Sequence, residues 1–240
     1  MTSRESGFKV HFNLKKMKYI EAAVLEKIGR IPKIKKIKIP KLNEGQALIK
    51  IKYSAICKSQ LMEIFGGRNN KKWLPHLMGH EATGEVVKLG KSVKKIKVGD
   101  KVILSWIAST GLECKKIRYE EDNKAINAGK VTTFCNYSIV SENRLVKLPK
   151  SQNLFNGVFL GCSFSTGMGM VLNQTKNINK KNSVAIIGFG GIGLGTLIAL
   201  KHKKLNNILI IDKDKKKSYL AKKFKIRNFS TKINKNFLNK

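Results

Sequence analysis

Hydrophobic and polar positions change rhythm along this chain, and the change divides it. From Ala47 to Tyr53 (ALIKIKY) apolar and polar residues alternate, the period of a half-buried strand. The stretch from Tyr19 (YIEAAVLEKIG), GEVVKLG at Gly84–Gly90, KVIL at Lys101–Leu104 and FCNYSIV at Phe134–Val140 are strand-like too, with turn signals such as Gly99–Asp100 between them. A short helix is predicted from Lys58 to Phe65, stopped by Gly66–Gly67. Short strands with glycine-rich turns as far as residue 148 predict an all-β unit.

Past that point the period lengthens. Asn153 to Gln174 carry apolar groups at helical spacing, with breaks expected near Gly161 and Gly167. SVAIIG (Ser183–Gly188) is a continuous apolar run, fit for a buried parallel strand. A helix bearing Ile192, Leu194, Leu197, Ile198 and Leu200 follows, then a second such strand, NILIID (Asn207–Asp212). Strand, helix, strand is a βαβ unit; a helix-like KKKSYLAKKF and one more strand follow. The expected organisation is an N-terminal extension over 1–18, an all-β unit over 19–150 and an α/β unit over 151–240, with Met17 as an alternative start.

Composition narrows the class. The chain has 240 residues, 42% of them hydrophobic, and a mean hydropathy of −0.24, which reads as soluble and globular. No apolar run approaches the ~20 residues of a membrane helix. The first sixteen residues lack the apolar core of a secretory signal, so a cytoplasmic location and no membrane partner are expected. The net charge of +34 suggests a polyanion partner until the residue types are separated. There are 43 Lys but 6 Arg, together with 26 Ile and 20 Asn, the pattern AT-rich codons produce. Phosphate and base readers favour the planar fork of Arg, and the lysines are scattered. The surface is therefore read as solvated, with no specific nucleic-acid partner.

The four cysteines, Cys57, Cys114, Cys135 and Cys162, are too widely spaced for a zinc finger or ribbon. In a reducing compartment they are expected as free thiols or metal ligands.

Two constellations carry chemistry. Gly188-Phe189-Gly190-Gly191-Ile192-Gly193 fits G-x-G-x-x-G between the first buried strand and its helix. Such glycines allow a sharp turn and close approach of a pyrophosphate, while the helix start offers free N–H groups. Asp212 closes the second strand 19 residues after Gly193, placed to take ribose hydroxyls and to repel a 2′-phosphate. NAD is thus expected over NADP, although Lys213 to Lys217, Lys217 included, form a cationic cluster that complicates the choice.

Secondly, Gly79-His80-Glu81-Ala82-Thr83-Gly84-Glu85-Val86 resembles the G-H-E-x-x-G-x-V signature of zinc-containing medium-chain alcohol dehydrogenases. Cys57-Lys58-Ser59 resembles that family's Cys-x-Ser/Thr motif, Gly99-Asp100-Lys101-Val102 its V-G-D-x-V turn, and Gly161-Cys162-Ser163-Phe164-Ser165-Thr166-Gly167 its third ligand loop. The motifs run in the family's order and end on the dinucleotide fingerprint.

The resemblance implies a GroES-like β-barrel catalytic domain followed by part of a Rossmann domain, a doubly wound parallel sheet. It implies one catalytic zinc on Cys57, His80 and Cys162, a donor set that leaves the fourth position open. Glu81 would stand behind the metal or exchange onto it, and Ser59 would pass the proton. Lys58 would meet the pyrophosphate and Thr166 the nicotinamide end. The implied reaction moves a hydride between an alcohol or aldehyde and NAD, in a full-length form expected to be a homo-oligomer.

Three departures stand out. Only Cys114 lies where many members carry four cysteines for a structural zinc, so no second zinc is expected. Met62 occupies the place of a proton-relay histidine. Against a six-stranded cofactor domain, about a hundred residues of the expected chain fall beyond Lys240, so a fragment, a split gene or a partial sequence is expected. The alternative function is a non-catalytic remnant that binds zinc or nucleotide without turnover. Trp73, Trp106 and Met62 are candidate pocket walls, with the bulk of Trp106 favouring small or narrow substrates.

Overall fold

The computed structural model describes residues 18–69, 71–115, 117–175 and 177–233. Apart from Lys18, the extension expected over 1–18, with the alternative start at Met17, lies outside the described residues. The first elements are β1 (Tyr19–Leu25), β2 (Lys33–Lys38), β3 (Gln46–Ser54), α1 (Lys58–Ile64), β4 (His76–Leu77), β5 (Ala82–Leu89) and β6 (Lys101–Leu104). Next come β7 (Arg118–Glu121), β8 (Lys124–Asn127), β9 (Tyr137–Ser141), β10 (Leu145–Lys147), α2 (Leu154–Gly157) and α3 (Ser163–Gly169). The last are β11 (Val184–Ile187), α4 (Gly191–His202), β12 (Ile208–Ile211), α5 (Ser218–Lys223) and β13 (Asn228–Ser230).

The first ten strands form two sheets. A closed barrel runs β1-β2-β7-β8-β4, and a five-stranded sheet runs β10-β6-β5-β3-β9. Alternation predicts the strands that bury one face: in β1, Ile20, Ala22 and Val24 point into a core shared with Ile37, Tyr119 and Ile126. A second core gathers Ile49, Val86, Val102, Leu104 and Val140 from the five-stranded sheet.

Strands with weak alternation are absent from the sequence reading for a physical reason. In β2 (KIKKIK) only Ile37 is buried, and the lysines are held by pairing with β1. The β7–β8 hairpin turns on Asp122 and Asn123, both at positive φ (47° and 62°), which Asp and Asn tolerate better than most residues.

The remaining strands form a parallel sheet, β11-β12-β13, with Val184 opposite Ile208 and Ile187 opposite Ile211. Ile186 and Ile210 from this sheet pack with Leu197 and Leu200 of α4 and Ala221 of α5. One expectation is corrected here. The helical stretch from Asn153 breaks at Cys162 (φ −148°, ψ −74°), but Gly167 sits inside α3 and breaks nothing. A Cβ on Gly167 would overlap the carbonyl oxygen of Ile192, so its bareness serves the contact of α3 with α4.

The boundary expected at 150 falls between β10 and α2, and the segment after it packs both ways. α2 lies against β5, while α3 lies against α4. Among the described residues no single helix is long and apolar enough to cross a membrane; Leu154–Gly161 with Ser163–Gln174 passes that test only as a pair bent by 58°.

Candidate active site

Three segments far apart in sequence meet where α1, β5 and α3 begin. Cys57 is the residue before α1, His80 lies between β4 and β5, and Cys162 immediately precedes α3. Their ligand atoms all lie within 4.8 Å of one another, and each residue is half-buried. Gly161 makes this approach possible, since a Cβ there would come within 2.6 Å of the Leu104 carbonyl and 2.8 Å of Glu81 Cβ. All four cysteines are free, as expected; Cys114 and Cys135 take no part in this cluster.

The donor chemistry fits a metal. Ligand atoms around one tetrahedral zinc lie about 3.5–3.8 Å apart, so a triad already within 4.8 Å needs only a small contraction. Burial lowers the His80 pKa. Cys162 is pushed up to about 12 by burial, then by the neighbouring Glu81 and Cys57. Glu81, 1% exposed, is raised by burial, although its carboxylate accepts the Ser163 N–H at 3.3 Å. Neutral imidazole is the metal-binding form, and a dication would reverse the cost of the thiolates and the carboxylate.

The sequence reading did not include the amide that ties this cluster together. Gln60, 1% exposed, accepts the Cys57 backbone N–H at 3.0 Å with its Oε1. Its Nε2 donates to Ser59 Oγ at 3.3 Å and touches His80 Nδ1. One side chain therefore positions two of the three candidate ligands and the candidate proton carrier. The signal available was its place one residue after Ser59, on the first turn of a helix that Cys57 opens.

Cys57, Ser59, His80 and Cys162 line a cavity of about 270 Å³. It adjoins a second of about 460 Å³, with Trp106 on the walls of both and Trp73 on the outer one. Met62 is on neither lining. Lys58, the first residue of α1, is exposed. Thr166 is also exposed, and its hydroxyl donates to the Cys162 carbonyl one turn back, at 2.8 Å.

The glycine loop is the second half of the site. Gly188 has φ +90°, which favours glycine, and a Cβ at Gly188 or Gly190 would meet nothing within 4 Å. At Gly190, where φ is −92°, no internal contact requires glycine. Its bareness leaves open space before the twelve-residue α4. Gly193 differs: its Cβ would overlap the Gly188 carbonyl, so it serves strand–helix packing.

Gly191 faces Ser163, the residue after Cys162, where a Cβ would come within 2.9 Å. The nucleotide-type loop and the Cys–His–Cys cluster are thus joined through the start of α3. Asp212 is turned inward, toward the loop. Its carboxylate accepts from Phe189 N at 2.6 Å, Asp214 N at 2.9 Å and Lys217 Nζ at 2.8 Å. Those partners, Lys217 foremost, hold its pKa at about 2.

Residues 43–150 match the family model described as the alcohol dehydrogenase GroES-like domain. The chain is 30% identical over 229 residues to the S-(hydroxymethyl)glutathione dehydrogenase of Escherichia coli O1:K1 / APEC, covering 85% of this chain and 61% of that relative. It thus spans about three fifths of that relative's length. Among solved structures, the benzyl alcohol dehydrogenase of Acinetobacter calcoaceticus superimposes with a TM-score of 0.79 at 22% identity, over 93% of this chain and 67% of that one. The Helicobacter pylori protein CAD, solved with NADP(H), gives 0.72 at 20% identity over 89% and 64%. Sequence motifs in order, a GroES-like barrel and these matches agree: residues 43–150 form an alcohol dehydrogenase GroES-like domain, and the chain as a whole is similar to the N-terminal portion of medium-chain alcohol dehydrogenases.

Proposed function

We propose that this chain carries the zinc site and part of the NAD site of an oxidoreductase that interconverts an alcohol and an aldehyde or ketone. The observation that carries the reading is the convergence of Cys57, His80 and Cys162, with ligand atoms within 4.8 Å, beside a glycine loop. In this reading residues 19–150 form the zinc-binding unit and 151–240 part of the nucleotide unit, with Cys162 crossing from the second to the first. When bound, zinc lowers the proton affinity of the substrate oxygen, and NAD accepts the hydride from the carbinol carbon.

The chain's own residues do the rest. Gln60 holds His80 and the Cys57 backbone in place, and Glu81 braces the α3 start that carries Cys162. Ser59 Oγ, on the wall of the inner cavity, takes the alcohol proton. With Met62 exposed and off the cavity wall, that proton leaves through cavity water. Gly188, Gly190, Gly191 and the start of α4 receive the pyrophosphate, with Lys58 at its edge and Thr166 toward the nicotinamide. Asp212, ionised at neutral pH and steadied by Lys217, directs the ribose and disfavours a 2′-phosphate.

Calorimetric titration of the purified chain with NAD and with NADP, beside metal analysis, tests this. About one zinc per chain and tighter binding of NAD are expected; a chain that holds no zinc and takes neither nucleotide sinks the reading.

A further inference from the structure

Cys162 reaches the cluster from beyond the two β-sheets, on a segment that the sheets themselves hold down. Leu154–Gly161 packs against β5 and β6 and ends one residue before Cys162. At each end of it the sheet supplies a buried hydroxyl. Thr83 of β5, 0% exposed, donates to the Leu154 carbonyl at 2.7 Å. Ser105, directly after β6 and 6% exposed, donates to the Gly161 carbonyl at 2.7 Å.

The two bonds are alike in chemistry but not in place. Leu154 stands eight residues before Cys162, whereas Gly161 is joined to it by one peptide bond, where the helical stretch breaks. The last carbonyls of a helical stretch have no partner within it, and here the Ser105 hydroxyl takes one of them. A peptide group is planar. Fixing the Gly161 carbonyl oxygen therefore also fixes the plane that holds the N and Cα atoms of Cys162.

The Ser105 oxygen is engaged on its other side as well, accepting the Ile107 N–H at 3.1 Å. The Ser105 backbone N–H donates to the Arg144 carbonyl at 2.9 Å. Trp106, between Ser105 and Ile107, lines the cavity beside the cluster. One hydroxyl thus joins the loop of the third candidate ligand to the cavity wall.

Resting on the zinc reading above, we infer that Ser105 is a positioning residue for Cys162. Its hydroxyl orients the Gly161–Cys162 peptide so that the thiolate meets the metal beside Cys57 and His80. Thr83 anchors the far end of the same segment and contributes to stability alone.

The unmodified chain, Ser105→Ala, Ser105→Thr and Thr83→Val are compared on three readouts, under conditions where circular dichroism shows each of them folded. These are zinc affinity by competition with a chromophoric chelator, the visible spectrum of the cobalt-loaded chain, and the alkylation rate of Cys162 in the metal-free chain, followed by mass spectrometry. Ser105→Ala is expected to bind zinc about tenfold more weakly, to alter the cobalt bands and to change Cys162 alkylation several-fold. Ser105→Thr keeps the hydroxyl and is expected to recover most of each. Thr83→Val loses a matching bond, so it is expected to lower unfolding stability as Ser105→Ala does while leaving all three readouts in place. Equal effects of Ser105→Ala and Thr83→Val on the three would reduce Ser105 to ordinary packing and overturn the inference. Alkylation that responds to Ser105→Ala alone, in a chain that takes up no metal, keeps the positioning role and overturns the zinc reading. Bound zinc with no response to Ser105→Ala does the reverse.

Discussion

The Cys–His–Cys cluster and the glycine loop solve opposite electrostatic problems with opposite constructions. The cluster is assembled from positions 57, 80 and 162, which only the folded sheets bring within 4.8 Å. Its burial favours uncharged forms: the imidazole pKa is lowered, the Cys162 thiol is raised to about 12, and the Glu81 carboxyl is raised too. A dication beside these donors would favour the thiolate and carboxylate forms instead. The glycine loop is one contiguous strand–turn–helix, and its nearby carboxylate, Asp212, is already paired with Lys217 and hydrogen-bonded by two backbone N–H groups. It is complete as a protein structure and leaves the start of α4 open to an anion. The comparison sets donors that a cation would suit, gathered from distant positions, against a contiguous loop whose carboxylate the protein itself already pairs.

The sharpest way to break this contrast is to remove one donor. Cys57→Ala is expected to reduce bound zinc from about one per chain to near zero, read by elemental analysis, while nucleotide titration is unchanged. Loss of both together would mean the two regions are not separable. On the loop, Gly193→Ala is expected to destabilise the chain by several kcal/mol in denaturant unfolding, because its Cβ overlaps the Gly188 carbonyl. Gly190→Ala should leave unfolding nearly unchanged and weaken NAD binding at least tenfold. Equal effects of the two alanines on unfolding would contradict the division of roles.

Gln60→Ala tests whether the cluster is pre-positioned. A zinc affinity 10–100-fold weaker is expected, the usual cost of losing a partner behind the ligands, with partial recovery in Gln60→Glu. The smallest effect lies at Asp212. Its folded pKa of about 2 is below the ordinary 3.8, so its contribution to stability is present above about pH 4 and is lost as pH falls through about 2. Asp212→Asn is expected to cost roughly 1–3 kcal/mol at neutral pH, with the gap to the unmodified chain closing across that acid window. A gap that does not change with pH would show that the ion pair is not its source.

Legibility in the sequence followed the same contrast. The glycine loop, β11, α4 and β12 are local, so an apolar run, G-x-G-x-x-G and a second apolar run were enough to place them. The cluster was legible because Cys57, His80 and Cys162 each sit in a short motif that resembles a family pattern, although no periodicity links them. Gln60 escaped because a glutamine has no spacing rule; its importance appears only when His80 arrives from β4. β2 escaped because lysines hide its alternation, and Gly167 was misread as a break because the helix that needs its bareness lies 25 residues on, at Ile192. Trp106 was legible as a wall, but its place on the walls of two cavities, beside Gly129 from another segment, was not.

The central claim, that three distant residues form one metal site, is tested most directly by cobalt substitution. The metal-free chain is titrated with Co²⁺ and its absorption spectrum recorded, alongside Cys162→Ser and His80→Ala. One equivalent of cobalt with strong thiolate-to-metal absorption and the visible bands of a tetrahedral ion is predicted, diminished in both variants. A chain that takes up no cobalt, or whose spectrum is unchanged by either substitution, would contradict it.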